Sequence, residues 1–194
     1  MDEYYLDALT REDCEAVRQW RNLDTAVLRT PFLLTREMQA DFYDRIVCNR
    51  KSQDRFWAAR PMETVSTEHV ESVVRHESLI AAMTGLTGIQ WENGLAEISL
   101  IVSPRRQGKG AGRASVRLVL EEAFLRMRLE TVVGECYECN PAMGFWEKVV
   151  QEYGGFGPKL PRRKMWDGKL WDAWLFNVTR EGFMEARKRW PTKS

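Results

Sequence analysis

The stretch "IVSPRRQGKGAG", Ile101 to Gly112, decides how this sequence is interpreted. An apolar run stops at Pro104, basic residues follow, and glycines then occupy positions 108, 110 and 112. A helical pattern begins directly afterwards, so the stretch predicts a strand, a glycine-rich loop and the start of a helix. The first N–H groups of a helix have no partner within it, and glycines let a ligand approach them closely. The loop is therefore typical of an anion site, for a phosphate or a pyrophosphate.

Two common phosphate-binding motifs do not fit this loop. The Walker motif needs Lys and then Ser or Thr after its last glycine, whereas Gly112 is followed by Arg113. In the dinucleotide motif G-x-G-x-x-G, the third glycine would also fall on Arg113. A glycine-rich turn that binds nothing is the alternative, but the neighbouring Arg105, Arg106 and Lys109 favour an anion site.

Length and composition predict a single globular domain over residues 1–194, because 194 residues with 44% hydrophobic content can form one sizeable core. Lys and Arg number 29 against 28 Asp and Glu, which argues against non-specific nucleic-acid binding as the main task. The sequence shows no signal peptide and no membrane-spanning apolar run. Four irregularly spaced cysteines suit a reducing compartment, so a cytoplasmic location and no metal are expected.

Strand and helix patterns alternate through the middle of the chain, which predicts an α/β domain with a mixed sheet. Thr10 and Thr35 are predicted to cap two helices, and Asn93-Gly94 to turn a hairpin. The polar segment 61–78 is predicted to be a loop insertion.

"QGKGAG", Gln107 to Gly112, resembles the acyl-coenzyme-A-binding signature of the GNAT N-acetyltransferases, Gln/Arg-x-x-Gly-x-Gly/Ala. "GLTGIQWENGLAEISLIV", "GECYECNPAMGFWEK" and "WDGKLWDAWLF" resemble further family segments in the family's order. The branch that the sequence is most similar to includes ribosomal-protein amino-terminal and amino-sugar acetyltransferases. The resemblance implies a single-domain α/β fold. Its mixed, mostly antiparallel sheet would carry helices on both faces and one splayed parallel strand pair.

The resemblance further implies direct acetyl transfer from acetyl-coenzyme A (acetyl-CoA) to a primary amine. The acceptor classes left open are a protein amino terminus, an amino sugar and another small amine, acted on by a monomer or homodimer. Backbone N–H groups near Ile101 and Val102 would bind the pantetheine arm and polarise the thioester carbonyl. The cofactor-binding residues implied are Ile101, Val102, Gln107, Gly108, Lys109, Gly110, Ala111, Gly112, Arg113, Asn140 and Trp146.

Two carboxylates are candidates for the proton transfers that amine attack requires. Glu135 lies five residues before Asn140, where related amino-terminal acetyltransferases often carry their base, and Glu97 lies on the facing predicted strand. A purely structural strand carboxylate is the alternative for both residues. Trp20, Arg21, Arg29 and the predicted helix "REMQADFYDRI", residues 36–46, correspond to the family's acceptor cleft.

The proton donor departs from the family pattern. Trp146 occupies the position where the family usually has an acidic Tyr, and an indole N–H does not deliver a proton at neutral pH. Either the thiolate leaves without such help, or another group serves. Tyr153 and Tyr137 are nearby in sequence, and a longer helix could bring Tyr153 toward the cleft, with core packing as the alternative. The departure also keeps open a non-catalytic acyl-CoA-binding module, and a nucleotide-binding protein of unrelated fold is a third hypothesis.

Overall fold

The computed structural model describes residues 4–26, 28–29, 31–62 and 80–190. Most of the predicted insertion 61–78 therefore lies outside the described residues. The strands are β1 Tyr4–Ala8, β2 Arg55–Pro61, β3 Ala82–Gln90, β4 Leu95–Val102, β5 Thr131–Tyr137, β6 Lys159–Trp166 and β7 Lys169–Thr179. The helices are α1 Arg11–Leu23, α2 Arg36–Phe42, α3 Ala111–Glu121, α4 Met143–Glu152 and α5 Arg180–Arg187, and π-helical turns extend α2 and α3.

The strands form one seven-stranded sheet in the order β1-β2-β3-β4-β5-β7-β6. Within the described sheet, β4 and β5 pair in parallel and the other neighbours pair antiparallel. The parallel register covers only Leu95–Glu97 against Thr131–Val133, after which the two strands diverge. The predicted mixed sheet and splayed parallel pair are confirmed.

Two hydrophobic cores lie on opposite faces of the sheet. Successive strand residues point to opposite faces, so Met83 and Leu86 of β3 contribute to different cores. Leu86 belongs to the larger core, which α3, α4 and α5 cover. Met83 belongs to the smaller core with Val17 of α1, against which Phe42 of α2 packs. The helices therefore lie on both faces, as predicted.

Two helix caps and one turn occur at the positions that the sequence predicts. Thr10 accepts a hydrogen bond from the Asp13 N–H, and Asp13 accepts one from the Thr10 N–H, which completes a capping box on α1. Thr35 caps α2 by accepting a hydrogen bond from the Met38 N–H. Gly94 has a φ of +60° in the turn between β3 and β4. No helix of the described residues is long and apolar enough to span a membrane.

Candidate active site

The glycine loop presents the start of α3 as an anion site. Gly108 and Gly110 have φ values of +70° and +85°, a left-handed conformation that glycine adopts without strain. The first helical hydrogen bond runs from the Ala114 N–H to the Gly110 carbonyl, at 3.0 Å. Helix geometry therefore leaves the N–H groups of Ala111, Gly112 and Arg113 without an acceptor in the helix, directed out of its positive end.

Two other N–H groups of the same loop donate hydrogen bonds within the loop. The Gln107 N–H donates to the Ser103 carbonyl at 3.1 Å, and the Lys109 N–H donates to the Arg106 carbonyl at 3.3 Å. The loop thus holds its own shape through its first half. Within the predicted set of amides from Gln107 to Arg113, those of Gln107 and Lys109 therefore already donate within the loop.

The edge of β4 presents a second set of backbone groups. The Ser103 N–H donates to the Ala81 carbonyl at 2.9 Å, and the antiparallel register continues through Val102 opposite Ala82 and Ile101 opposite Met83. Because hydrogen-bonded and non-hydrogen-bonded pairs alternate, the Val102 N–H points away from β3, toward the gap that opens beside β5. The Ile101 N–H points toward β3. Of the two amides predicted to meet the pantetheine arm, Val102 is the one so directed.

A cleft of about 700 Å³ opens where β4 and β5 diverge. Glu97 is the last β4 residue in parallel register, opposite Val133. Glu135 lies two residues further along β5, so its side chain shares the face of Val133. The residues that line the cleft are Arg29, Glu97, Val133, Gly134, Glu135, Tyr137, Phe156, Gly157, Pro158, Arg163, Leu175, Phe176 and Asn177. The fold thus brings both predicted carboxylates into one cavity.

Glu135 is the buried acid of this cleft, with a side chain only 9% exposed. Its Oε2 accepts a hydrogen bond from the Tyr137 hydroxyl at 3.1 Å and lies 3.3 Å from Arg29 Nη2. Its Oε1 lies 3.5 Å from Arg163 Nε but accepts no hydrogen bond from the part of the chain that the structure describes. Arg29 also donates to Glu97 Oε1. Glu135 Oε1 is therefore enclosed without a hydrogen bond from the described residues, while Oε2 is the oxygen next to Tyr137 and Arg29.

Tyr137 and Arg29 keep their protons beside these carboxylates. Burial, followed by the charge of Glu135, raises the pKa of the Tyr137 hydroxyl, so it stays a hydrogen-bond donor at neutral pH. The hydrogen bond to Glu97 raises the pKa of Arg29, which is fully charged.

Lys164 of β6 anchors the loop that carries Arg29. Its side chain is buried, and its ammonium donates to the carbonyls of Ala26 and Leu28, one on each side of residue 27. The same ammonium lies 4.9 Å from the centroid of the Tyr137 ring. Nothing in the sequence marks Lys164 or Arg163 as site residues, because they come from a strand far along the chain and belong to no motif.

The expectation that Tyr153 reaches the cleft does not hold. Tyr153 is 2% exposed and stacks on Phe183 in the larger core, with ring centroids 5.9 Å apart. The backbone ends α4 at this residue and turns through Gly154, whose φ is +66°, so the ring stays on the core side.

Trp146 and Asn140 both have structural contacts near the cleft. Trp146 packs on Phe176, a cleft-lining residue, with ring centroids 5.1 Å apart. Phe176 in turn lies over Gly134, where a Cβ would come within 2.3 Å of the ring. Asn140 Oδ1 accepts the Ala142 N–H at 2.8 Å, which shapes the turn into α4.

Residues 4–149 match the family model described as Acetyltransferase (GNAT) domain. No protein of curated function matches the chain in sequence. A solved structure of spermidine N-acetyltransferase from Vibrio cholerae in complex with CoA and spermine is similar, with a TM-score of 0.74 and 16% identity over 94% of this chain and 98% of that one. Spermidine/spermine N-acetyltransferase from the same organism, in complex with manganese ions, has a TM-score of 0.70 and 17% identity over 94% and 96%.

Proposed function

Because this chain belongs to the GNAT acetyltransferase family, and is an acyl-CoA-dependent N-acyltransferase with acetyl-CoA as its cosubstrate, we propose that it acetylates a primary amine bound beside Glu135. One observation supports this position for the reaction. A nine-tenths-buried carboxylate, with one oxygen that accepts no hydrogen bond from the described residues, lies where β4 and β5 diverge.

The start of α3 fits the pyrophosphate of acetyl-CoA. The amides of Ala111, Gly112 and Arg113 would bind its oxygens, and the left-handed loop keeps Cβ atoms away from them. The Val102 N–H would bind the pantetheine arm and polarise the thioester carbonyl. Asn140 Oδ1 is committed to its own turn, so its amide nitrogen would make any contact with the arm.

Glu135 acts as the general base in this proposal. A primary alkylamine is protonated at neutral pH, so the Glu135 carboxylate removes a proton before or during attack. The amine nitrogen then bonds to the acetyl carbon, the carbon–sulfur bond breaks, and CoA leaves as a thiolate. The nitrogen loses its second proton as the amide forms, and the thiolate, whose thiol has an ordinary pKa of about 8.5, takes up that proton through water without a dedicated acid. Because the thiolate can leave without an acid, the reaction does not need a Tyr at the position of Trp146, and the case for a non-catalytic module is weaker.

Three classes of acceptor are consistent with a primary amine in this cleft. The spermine bound to the Vibrio cholerae neighbour supports a polyamine. The resemblance to the amino-terminal and amino-sugar branch supports a peptide amino terminus or an amino sugar.

The test is release of CoA thiol from acetyl-CoA with spermidine, a peptide with a free amino terminus, and glucosamine, with product masses measured for each. Thiol release above acetyl-CoA hydrolysis, with an acetylated product, supports the proposal. CoA binding without acetylation of any of the three amines would favour the non-catalytic module.

A further inference from the structure

The guanidinium of Arg29 occupies the space between the two cleft carboxylates. It donates to Glu97 Oε1 and lies 3.3 Å from Glu135 Oε2, so one guanidinium contacts both acids. An alkylammonium that reacts at Glu135 needs the same carboxylates. The arginine side chain and a cationic acceptor therefore have overlapping binding positions.

The position of Arg29 is held by the fold, but its side chain is exchangeable. Lys164 fixes the backbone of the loop through the carbonyls of Ala26 and Leu28. The Arg29 side chain itself is 59% exposed, so solvent and ligands can reach its guanidinium. A ligand can displace the guanidinium without unfolding the loop.

The charge of a ligand determines whether it can displace the Arg29 guanidinium. When a cationic acceptor displaces Arg29, Glu97 and Glu135 still have a cation between them. When a neutral or anionic ligand displaces it, two neighbouring carboxylates remain, and Glu135 is largely out of water with only Arg163 near its Oε1. The cleft thus selects acceptors that carry their own positive charge.

We propose that Arg29 is an internal competitor for the acceptor, holding the cation site between Glu97 and Glu135 until a cationic amine displaces it. This inference rests on the proposed function, because it places the acceptor at Glu135. It assigns a specificity role to Arg29, which selects cationic over neutral amines and raises the concentration of acceptor needed for turnover.

Arg29→Ala tests the proposal through the sign of its effect. Spermidine binding to the CoA-loaded protein is measured by calorimetry, and KM for spermidine by thiol release. Loss of the competitor lowers both Kd and KM by about two- to tenfold, the range expected for the release of one exposed cation from two carboxylates. Methylguanidinium then inhibits Arg29→Ala competitively against spermidine, and inhibits the unmodified protein less, because it refills the vacated position.

Two further variants separate specificity from structure. Arg29→Lys keeps the charge but lacks the planar fork that reaches both carboxylates, so its Kd is expected between those of the unmodified protein and Arg29→Ala. Arg36→Ala removes another exposed arginine, one that pairs with Glu15 outside the cleft, and leaves spermidine affinity unchanged.

Weaker spermidine binding by Arg29→Ala would show that Arg29 is itself an acceptor contact and would overturn the proposal, as would affinity equal to that of Arg36→Ala. The binding measurement is independent of turnover. Tighter binding with no acetylated product would uphold the inference about Arg29 and reject the proposed function.

Discussion

The loop at the start of α3 and the cleft beside β5 differ in how they are built. The loop uses consecutive backbone groups between Ser103 and Arg113, and its shape depends on two glycines with positive φ. The cleft uses charged side chains from distant parts of the chain, with Arg29 before α2, Glu97 on β4, Glu135 on β5 and Arg163 on β6.

The difference predicts different responses to substitution. A change in the loop acts through backbone conformation and should alter cofactor binding whatever the charge of the new side chain. A change in the cleft acts through charge and hydrogen bonding and should alter turnover while cofactor binding stays constant. Glu135→Gln, Gly110→Ala and Tyr137→Phe are each expected to affect one of these properties and not the other.

Replacing Glu135 with glutamine should have the largest effect on turnover. Glu135→Gln keeps the size of the side chain and removes the proton acceptor, so kcat/KM should fall about 100-fold or more. The dissociation constant for CoA should be unchanged, because Glu135 lies outside the glycine loop. Steady-state kinetics and calorimetry measure the two quantities separately.

Glu138→Gln is the matched control for this prediction. Glu138 follows β5 directly and pairs with Lys159 Nζ at 2.9 Å, but it does not line the cleft. Its substitution should leave kcat/KM within about twofold, because this solvent-screened ion pair lies outside the cleft. Equal losses in the two variants would argue against a base at Glu135.

Gly110→Ala should change the loop alone. Gly110 is the N-cap of α3 and has a φ of +85°. A Cβ at this position would meet nothing within 4 Å, so any effect of the substitution arises from backbone strain and not from a clash. Alanine in a left-handed conformation costs about 1–2 kcal/mol, and relief of that strain distorts the amides at the helix start. The Kd for CoA should rise about tenfold.

Gly144→Ala provides the control for the loop. Gly144 is in the first turn of α4, where a Cβ also meets nothing within 4 Å and φ is not in the left-handed region. Alanine should therefore leave the Kd for CoA unchanged and slightly stabilise the helix. A matching rise in Kd for both variants would mean that the conformation of Gly110 is not what binds the cofactor.

Tyr137→Phe should have a moderate effect confined to the cleft. It removes the hydroxyl that donates to Glu135 Oε2 at 3.1 Å but keeps the ring. One such hydrogen bond to a charged group is worth about 1.5–3 kcal/mol, so kcat should fall about tenfold with little change in the Kd for CoA. An unchanged kcat would show that this hydrogen bond does not position the carboxylate during the reaction.

Sequence reasoning succeeded where structure is determined locally. Thr10 and Thr35 cap helices through neighbours three residues away, and the glycine loop is encoded in consecutive residues, so each could be predicted from a short window. That Glu97 and Glu135 lie in one cleft could be predicted from the strand order, which the family resemblance supplied.

The rest of the cleft depends on contacts across the chain that no short window contains. Lys164 reaches carbonyls 136 and 138 residues earlier, and Arg163 meets Glu135 because β6 is placed across β7. The prediction that Tyr153 reaches the cleft was wrong because it considered only position along the chain. Its distance along α4 was compatible with the cleft, but the burial of its ring against Phe183 decided its position.

Tyr153→Phe should have the smallest effect on activity, and it distinguishes core packing from acid catalysis. Burial raises the pKa of the Tyr153 hydroxyl, so the folded state holds this proton more tightly than the unfolded state does. Above about pH 10 the unfolded chain ionises first, and this tyrosine then contributes a loss of stability as the pH rises. Tyr153→Phe should keep kcat near neutral pH and lose stability less steeply above pH ~10, as measured by urea unfolding across that range. A fall in kcat with an unchanged alkaline stability profile would instead assign Tyr153 to the reaction.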